Sequence, residues 1–227
     1  MVNSSIENND QPLFFRYYKE VNKHFWLNKW ATNDIGFHEG VVNAMLMKHF
    51  NRLSQPNTIF VPLCGKTVDI IWLMKQGVHV IGVELSETAI QQLFQTLKID
   101  ATVTPIEDFK HYKGPMIDVF VGDFFDLTPT LLPSIDAIYD RASMVALPKQ
   151  TRIHYATHLH RLTNNAKQLL VSFEYPEKTL NGPPFSVPES EINTLYRPHY
   201  HILHCDQSTM MVGTTPIDQN VFVLTPI

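Results

Sequence analysis

The sequence has very little cysteine. Cys64 and Cys205 are its only two, with no C-x-x-C pair, so neither a disulfide framework nor a zinc site is expected and both thiols should be reduced. It lacks any apolar run near the roughly 20 residues that a membrane-spanning helix needs. Its opening, MVNSSIENND, has neither the basic nor the apolar region of a signal peptide, so a cytoplasmic protein without a membrane partner is expected. Basic residues are also in short supply. Against 22 Asp and Glu stand 18 Lys and Arg, a formal charge of −4, which leaves no electrostatic footprint for a phosphate backbone and argues against nucleic acid as a partner. Glycine is missing where phosphate binders need it. A dinucleotide loop wants three close glycines, but only Gly65 occurs between residues 58 and 76, and Phe60 stands where a P-loop ending in Gly65-Lys66-Thr67 needs its first glycine.

What is present is a long alternation of apolar runs and helical patterns. The 227 residues are 44% hydrophobic, enough for one large core, and no repeat, low-complexity tract or linker divides them. A disordered tail is expected at 1–10 and a single domain at 11–227. From Pro12, the aromatic residues Phe14, Phe15, Tyr17, Tyr18, Phe25, Trp26 and Trp30 suggest an amphipathic helix and loop that pack over something. Val41, Val42, Met45, Leu46 and Phe50 recur at helical spacing, and Gln55-Pro56-Asn57 ends that helix with turn chemistry. Strands are predicted at 58–63, 79–84, 117–122, 135–139 and 168–174, with helices at 67–76, from Ser86 and Glu87 onward, and at 149–162. After Tyr175 the pattern changes to a Pro-rich loop at 182–188, a short helix at 189–196 and strands at 200–205 and 221–224. The fold class is therefore α/β: a doubly wound, mainly parallel seven-stranded sheet with an antiparallel pair at its C-terminal edge.

Ligands of such sheets collect beyond the carboxyl ends of the strands, and four clusters fall there: Leu63 to Lys66, Glu84, Asp123 with Phe124, and Asp140 with Arg141. Gly65 is either a plain turn glycine or the place where a ligand approaches the backbone. Glu84 lies 19 residues after it, about the separation at which an acid meets an adenosine ribose diol in nucleotide-binding units. A ribose reader without a phosphate cradle fits S-adenosylmethionine, which has no phosphate. Asp123 and Phe124 could hydrogen-bond and cover an adenine, or form a polar turn with a core phenylalanine. Arg141 could hold a carboxylate or an anionic acceptor, or pair structurally with Asp140. His154 and His158 have zinc-type spacing, but Tyr155 takes the place of the glutamate of H-E-x-x-H. His199, His201 and His204 read as ordinary histidines, and no metal is expected.

Taken together, the blocks Phe25-Trp-Leu-Asn-Lys-Trp30, Ile35-Gly-Phe-His38, Val61-Pro-Leu-Cys-Gly-Lys66, Gly82-Val-Glu-Leu-Ser86, Gly122-Asp-Phe-Phe125, Tyr139-Asp-Arg-Ala142 and Gly182-Pro-Pro-Phe-Ser-Val-Pro188 resemble the thiopurine S-methyltransferase family, in the family's order. The resemblance implies a Rossmann-like methyltransferase fold with an N-terminal helical lid and S-adenosyl-L-methionine as cofactor. It implies that Trp30, Leu63, Glu84 and Arg141 contact that cofactor, that Asp123 and Phe124 lie beside its adenine, that Phe37 is near the acceptor, and that Arg141 is catalytic. The implied reaction is S-methylation of an aromatic or heterocyclic thiol such as a thiopurine, by a monomer acting on a small molecule. Two other readings stay open: methylation of another soft nucleophile (a selenium or tellurium species, or a halide), and a non-catalytic nucleotide-binding regulatory module. One departure concerns residues 206–220, which contain no Arg or Lys, whereas family members often carry arginine facing the acceptor there.

Overall fold

The computed structural model describes residues 13–176 and 179–227, with side chains from Lys19 onward in the first helix. The tail expected at 1–10 lies outside the described residues, as do Pro12 and the side chains of Phe14, Phe15, Tyr17 and Tyr18.

Five parallel strands form the centre of the sheet. These are β1 (Thr58–Val61), β2 (His79–Glu84), β5 (Ile117–Val121), β6 (Ala137–Arg141) and β7 (Lys167–Glu174), paired in the order β5-β2-β1-β6-β7. Beyond β7, the long hairpin of β8 (Tyr200–Val212) and β9 (Thr215–Pro226) adds antiparallel strands in the order β9-β8. These are the seven strands read from the sequence. The sheet has nine, because β3 (Thr102–Ile106) and β4 (Phe109–Gly114) extend it antiparallel beyond β5. That hairpin escapes pattern reading because β3 is almost wholly exposed and carries Pro105, both marks of an edge strand. The late strands also run well past their apolar cores at 200–205 and 221–224, since residues 206–212 alternate only between half-buried and exposed on an edge strand and their residue types, Asp-Gln-Ser-Thr-Met-Met-Val, do not alternate.

Successive strand residues face opposite sides, so each strand feeds two cores. Phe60, Ile81, Phe120, Ile138 and Leu170 pack on one face against α5 (Lys149–Thr163) and α6 (Glu189–Tyr196), through Tyr155, Leu159, Ile192 and Tyr196. Ile59, Val61, Val80, Val119 and Leu169 pack on the other against α2 (Ala44–His49), α3 (Asp69–Lys75) and α4 (Glu87–Leu97), through Leu46, Ile70, Leu73, Ile90 and Leu93. Each of these aliphatic side chains contributes about 1.5–3 kcal/mol by burial. Helix α2 is shorter than its apolar pattern. Asn43 caps it by accepting from the N–H groups of Met45 and Leu46, which leaves Val41 outside the helix and exposed. Helix α4 is capped the same way by Ser86, which accepts from the N–H of Ala89.

The strand order reverses between β1 and β6, where chain connections leave in opposite directions and a crevice opens at the carboxyl ends. Over that end lies α1 (Leu13–Ala31), the expected aromatic helix. Among the described residues no helix is long and apolar enough to cross a membrane.

Candidate active site

At the end of β1 the chain turns sharply through Pro62, Leu63, Cys64 and Gly65. Leu63 has a φ of +45° and Gly65 one of +52°. Ala142, just after β6, has +61°. Left-handed backbone costs a non-glycine residue about 1 kcal/mol or more, and both Leu63 and Ala142 line the same cavity. At Gly65 a Cβ would stand 3.0 Å from the indole of Trp30, so the absence of a side chain is what lets α1 close down on this turn.

The turn is held by Glu84, the last residue of β2. Its two carboxylate oxygens accept from the N–H of Gly65 at 2.8 Å and the N–H of Ser86 at 2.8 Å. Burial pushes the Glu84 carboxyl above its ordinary range, while the N–H groups of Ser86, Gly65 and Leu85 pull it back. Each oxygen keeps further acceptor capacity, and Glu84 lines the cavity. Burial, followed by the neighbouring Glu84, holds the Cys64 thiol well above its usual range and therefore protonated.

Asp123 follows β5 and caps the short turn at Phe124–Asp126 by accepting from the N–H of Phe125 at 2.9 Å. Burial raises its pKa, opposed by Lys19 of α1, whose ammonium lies 3.4 Å from Asp123 and 2.6 Å from Asp126. This ion pair ties the helical lid to the rim. Phe124 packs into the core against Tyr155 and His158, with ring centroids 5.0 Å away in each case, and also reaches the cavity wall; half-exposed Phe125 lines the cavity beside it. On the lid side, Phe37 meets Trp26 at 5.3 Å and Trp30 at 5.4 Å, both edge to face.

Arg141 ends β6 inside a network that sequence reasoning did not find. Its guanidinium pairs with Glu39, from the loop after α1, and lies 4.0 Å from Asp69 of α3. Asp69, itself 1% exposed, accepts from the Asn43 N–H at 2.7 Å and the Tyr139 hydroxyl at 2.9 Å. The Nε of Arg141 is buried and has no partner among the described residues. Asp140 is not that partner. As the preceding strand residue it faces the other side of the sheet, where it accepts from the Tyr155 hydroxyl at 2.8 Å, and burial pushes its pKa up to about 6. The position of Asp69 in the first turn of the helix after β1 was the available clue. Glu39, in an irregular loop, offered none.

Trp30, Phe37, Leu63, Glu84, Asp123, Phe124 and Arg141 all line one cavity of about 780 Å³. Its other half, above β6 and β7, is walled by Val145, Leu147, Phe173, Pro183, Pro184 and Met210 to Gly213. His38 also lines the cavity, its pKa lowered by burial and then by Lys66 and Arg141. Elsewhere, His158 hydrogen-bonds the Phe124 carbonyl, His199 meets His160, His204 stacks on Phe222, and His79 and His111 share Asp118.

The family whose sequence model matches this chain is Thiopurine S-methyltransferase, over residues 21–221. A thiopurine S-methyltransferase of Teredinibacter turnerae is 50% identical over 190 residues, spanning 83% of this chain and 88% of the relative. Another, of Xanthobacter autotrophicus, is 48% identical over 192 residues, with 83% and 90% covered. Among solved structures, a Burkholderia thailandensis 1,6-didemethyltoxoflavin-N1-methyltransferase, with bound 1,6-didemethyltoxoflavin and S-adenosylhomocysteine, superposes with a TM-score of 0.66 over 97% of both chains at 16% identity. Haemophilus influenzae TehB does so at 0.60, covering 91% of this chain and 67% of its own at 13% identity. At such low identity these two likenesses speak for the fold alone.

Proposed function

Since the chain belongs to the thiopurine S-methyltransferase family, we propose that it methylates the sulfur of an aromatic or heterocyclic thiol, with Arg141 as the residue that holds the reacting thiolate. It is a methyltransferase, and its methyl donor is S-adenosylmethionine. The observation that carries the thiol reading is Arg141: a guanidinium buried at the junction of a polar and an apolar half-cavity, with one N–H donor left unpaired.

The residues present fit the donor. Glu84 has acceptor capacity for two ribose hydroxyls, Gly65 lets Trp30 close over the turn that Glu84 holds, and no phosphate cradle is needed. In this reading Trp30, Leu63, Glu84 and Arg141 hold the cofactor, and Asp123 with Phe124 flanks its adenine. When bound, S-adenosylmethionine supplies an electrophilic methyl group on a sulfonium.

The chain's own part is positioning and electrostatics. Glu39 and Asp69 fix the guanidinium of Arg141 from two sides, so its positive charge is already in place at the cavity wall before an acceptor arrives. A heterocyclic thiol is readily ionised near neutral pH, so Arg141 has only to stabilise the anion, and no nucleophilic residue is required. Trp30 and Phe37 exclude water from the place where opposite charges neutralise each other, which favours reaction over the solvated ions. Holding both reactants in line supplies several kcal/mol more.

The test is calorimetric titration of the purified chain with S-adenosylmethionine, followed in the same sample by mass detection of methylated 6-mercaptopurine. Binding with a product one methyl group heavier is the expected outcome. Binding with no methylation of any thiol offered would discard the acceptor.

A further inference from the structure

A thiol that arrives with its proton still on needs a group to take it, and few groups in the cavity wall can. Among the described residues each carboxylate there is engaged. Glu39 pairs with Arg141, Asp34 with Lys29 and Asp123 with Lys19. Asp69 accepts from the Asn43 N–H and the Tyr139 hydroxyl, and Glu84 from the N–H groups of Gly65 and Ser86. Burial holds the Cys64 thiol and the Tyr139 hydroxyl well above their usual ranges, so both stay protonated. What is left is His38, the one histidine in this wall. Its imidazole has no hydrogen bond or ion pair among the described residues, whereas His49 meets Asp206 at 2.7 Å, His111 meets Asp118 at 2.6 Å and His158 meets the Phe124 carbonyl at 3.0 Å.

The loop after α1 fixes this residue at the site. The His38 N–H donates to the Ile35 carbonyl at 2.8 Å, closing a turn, and the residues on either side reach inward: Phe37 packs on Trp26 and Trp30, and Glu39 pairs with Arg141. The charges that act on the imidazole come from three further elements that line the cavity: Lys66 from the turn after β1, Arg141 from β6 and Asp69 from α3, with Glu39 from its own loop. Burial, then Lys66 and Arg141, keep the ring neutral at pH 7 and so able to accept a proton, while Glu39 and Asp69 favour the imidazolium once it forms. The residue is only half-buried, which leaves water a way to carry a proton off.

We propose that His38 is the general base of this site, taking the proton of an acceptor that arrives as a neutral thiol or thione while Arg141 holds its sulfur. This rests on the thiol-methylation reading. The unprotonated ring nitrogen accepts the proton from the S–H, or from the ring N–H of a thione. The sulfur's electron pair then forms its bond to the methyl group as that group's bond to the sulfonium sulfur breaks, and the imidazolium returns the proton to water. An acceptor that is already ionised makes no use of His38.

The experiment compares wild type, His38→Gln and His38→Ala on two acceptors with saturating S-adenosylmethionine: 6-mercaptopurine, which keeps its proton in mild acid, and 4-nitrothiophenol, which its nitro group keeps ionised. At about pH 6.5, His38→Gln is expected to lose about 100-fold in kcat/KM for 6-mercaptopurine and to change little on 4-nitrothiophenol. As pH falls from about 7.5 to 6.5, wild type should hold nearly level on 6-mercaptopurine, whereas His38→Gln should fall about fivefold with the thiolate fraction. Added imidazole should restore His38→Ala on 6-mercaptopurine alone. Calorimetric affinity for S-adenosylmethionine should be the same in all three, which separates proton transfer from support of the fold. Equal losses on both acceptors, or none on either, would overturn the proposal alone. So would a wild-type rate that itself falls with the thiolate fraction, a result that depends on no variant. A wild-type protein that binds the cofactor but methylates neither thiol would overturn the reading beneath it as well.

Discussion

Glu84 and Arg141 end the two strands that flank β1, yet their partners differ in kind, and so should the consequences of changing them. Both oxygens of Glu84 are tied to backbone N–H groups, so a glutamine there offers one acceptor where two are needed and turns its NH₂ toward an N–H. Glu84→Gln is expected to weaken S-adenosylmethionine by about 10–100-fold, the worth of a charge-assisted hydrogen bond, while kcat at saturating cofactor changes little. Arg141→Lys keeps the charge facing Glu39 and Asp69 but loses the planar fork and the free Nε–H, so kcat should fall about tenfold or more. Initial rates against cofactor concentration check both variants, and an unchanged kcat in Arg141→Lys would remove that residue from the chemistry. At this scale much was legible in the sequence, because strand-end residues after apolar runs are where an open sheet puts its ligands. Glu39 was not, since a loop acid looks the same whether it faces a cavity or solvent.

The β8–β9 hairpin brings Met210 to Gly213 to the wall of the cavity, turning through Gly213 at a φ of +59°. Its inner part, residues 218–224 of β9, pairs with β7, whereas the tip pairs only with itself. Removing residues 211–216 and joining Met210 to Ile217 through Asn-Gly should therefore leave the sheet intact. The expected effect is a rise of about tenfold or more in the acceptor KM, from lost apolar wall, with cofactor affinity unchanged by calorimetry. The two late strands were read from their apolar cores alone. Their extension over the cavity was not, because the added residues 206–212 of β8 are largely polar and half-exposed, and in β9 Asp218 and Gln219 interrupt the apolar run.

For the molecule as a whole, acid stability turns on two buried groups with opposite signs. The Phe124 carbonyl accepts from His158 Nε2 at 3.0 Å and Arg161 donates to Nδ1 at 3.1 Å, so both ring nitrogens are satisfied only when the ring is neutral. Burial, and then Arg161, lowers its pKa from 6.5 to about 4. Its stabilising contribution is present above pH 6.5 and is lost as pH falls toward 4, up to about 3 kcal/mol. Asp140, raised by burial from 3.8 to about 6, contributes in the opposite sense: its stabilisation is present below pH 3.8 and lost as pH rises through 6. The two offset each other between pH 4 and 6. His158→Gln keeps a donor and an acceptor but cannot take a proton, so its stability in urea should rise relative to wild type as pH falls from 7 to 4.5. A constant difference across that range would show that His158 carries no such linkage. From the sequence alone came the alternation of strand and helix, the strand ends, and the residue types suited to a ribose and an anion, because these follow from periodicity and side-chain chemistry within short windows. Only the tertiary structure decided which side chains share a wall. The Glu39–Arg141–Asp69 network and the hairpin tip in the cavity wall join segments far apart in the chain, and their proximity is set by how the two faces of the sheet are packed rather than by any local pattern.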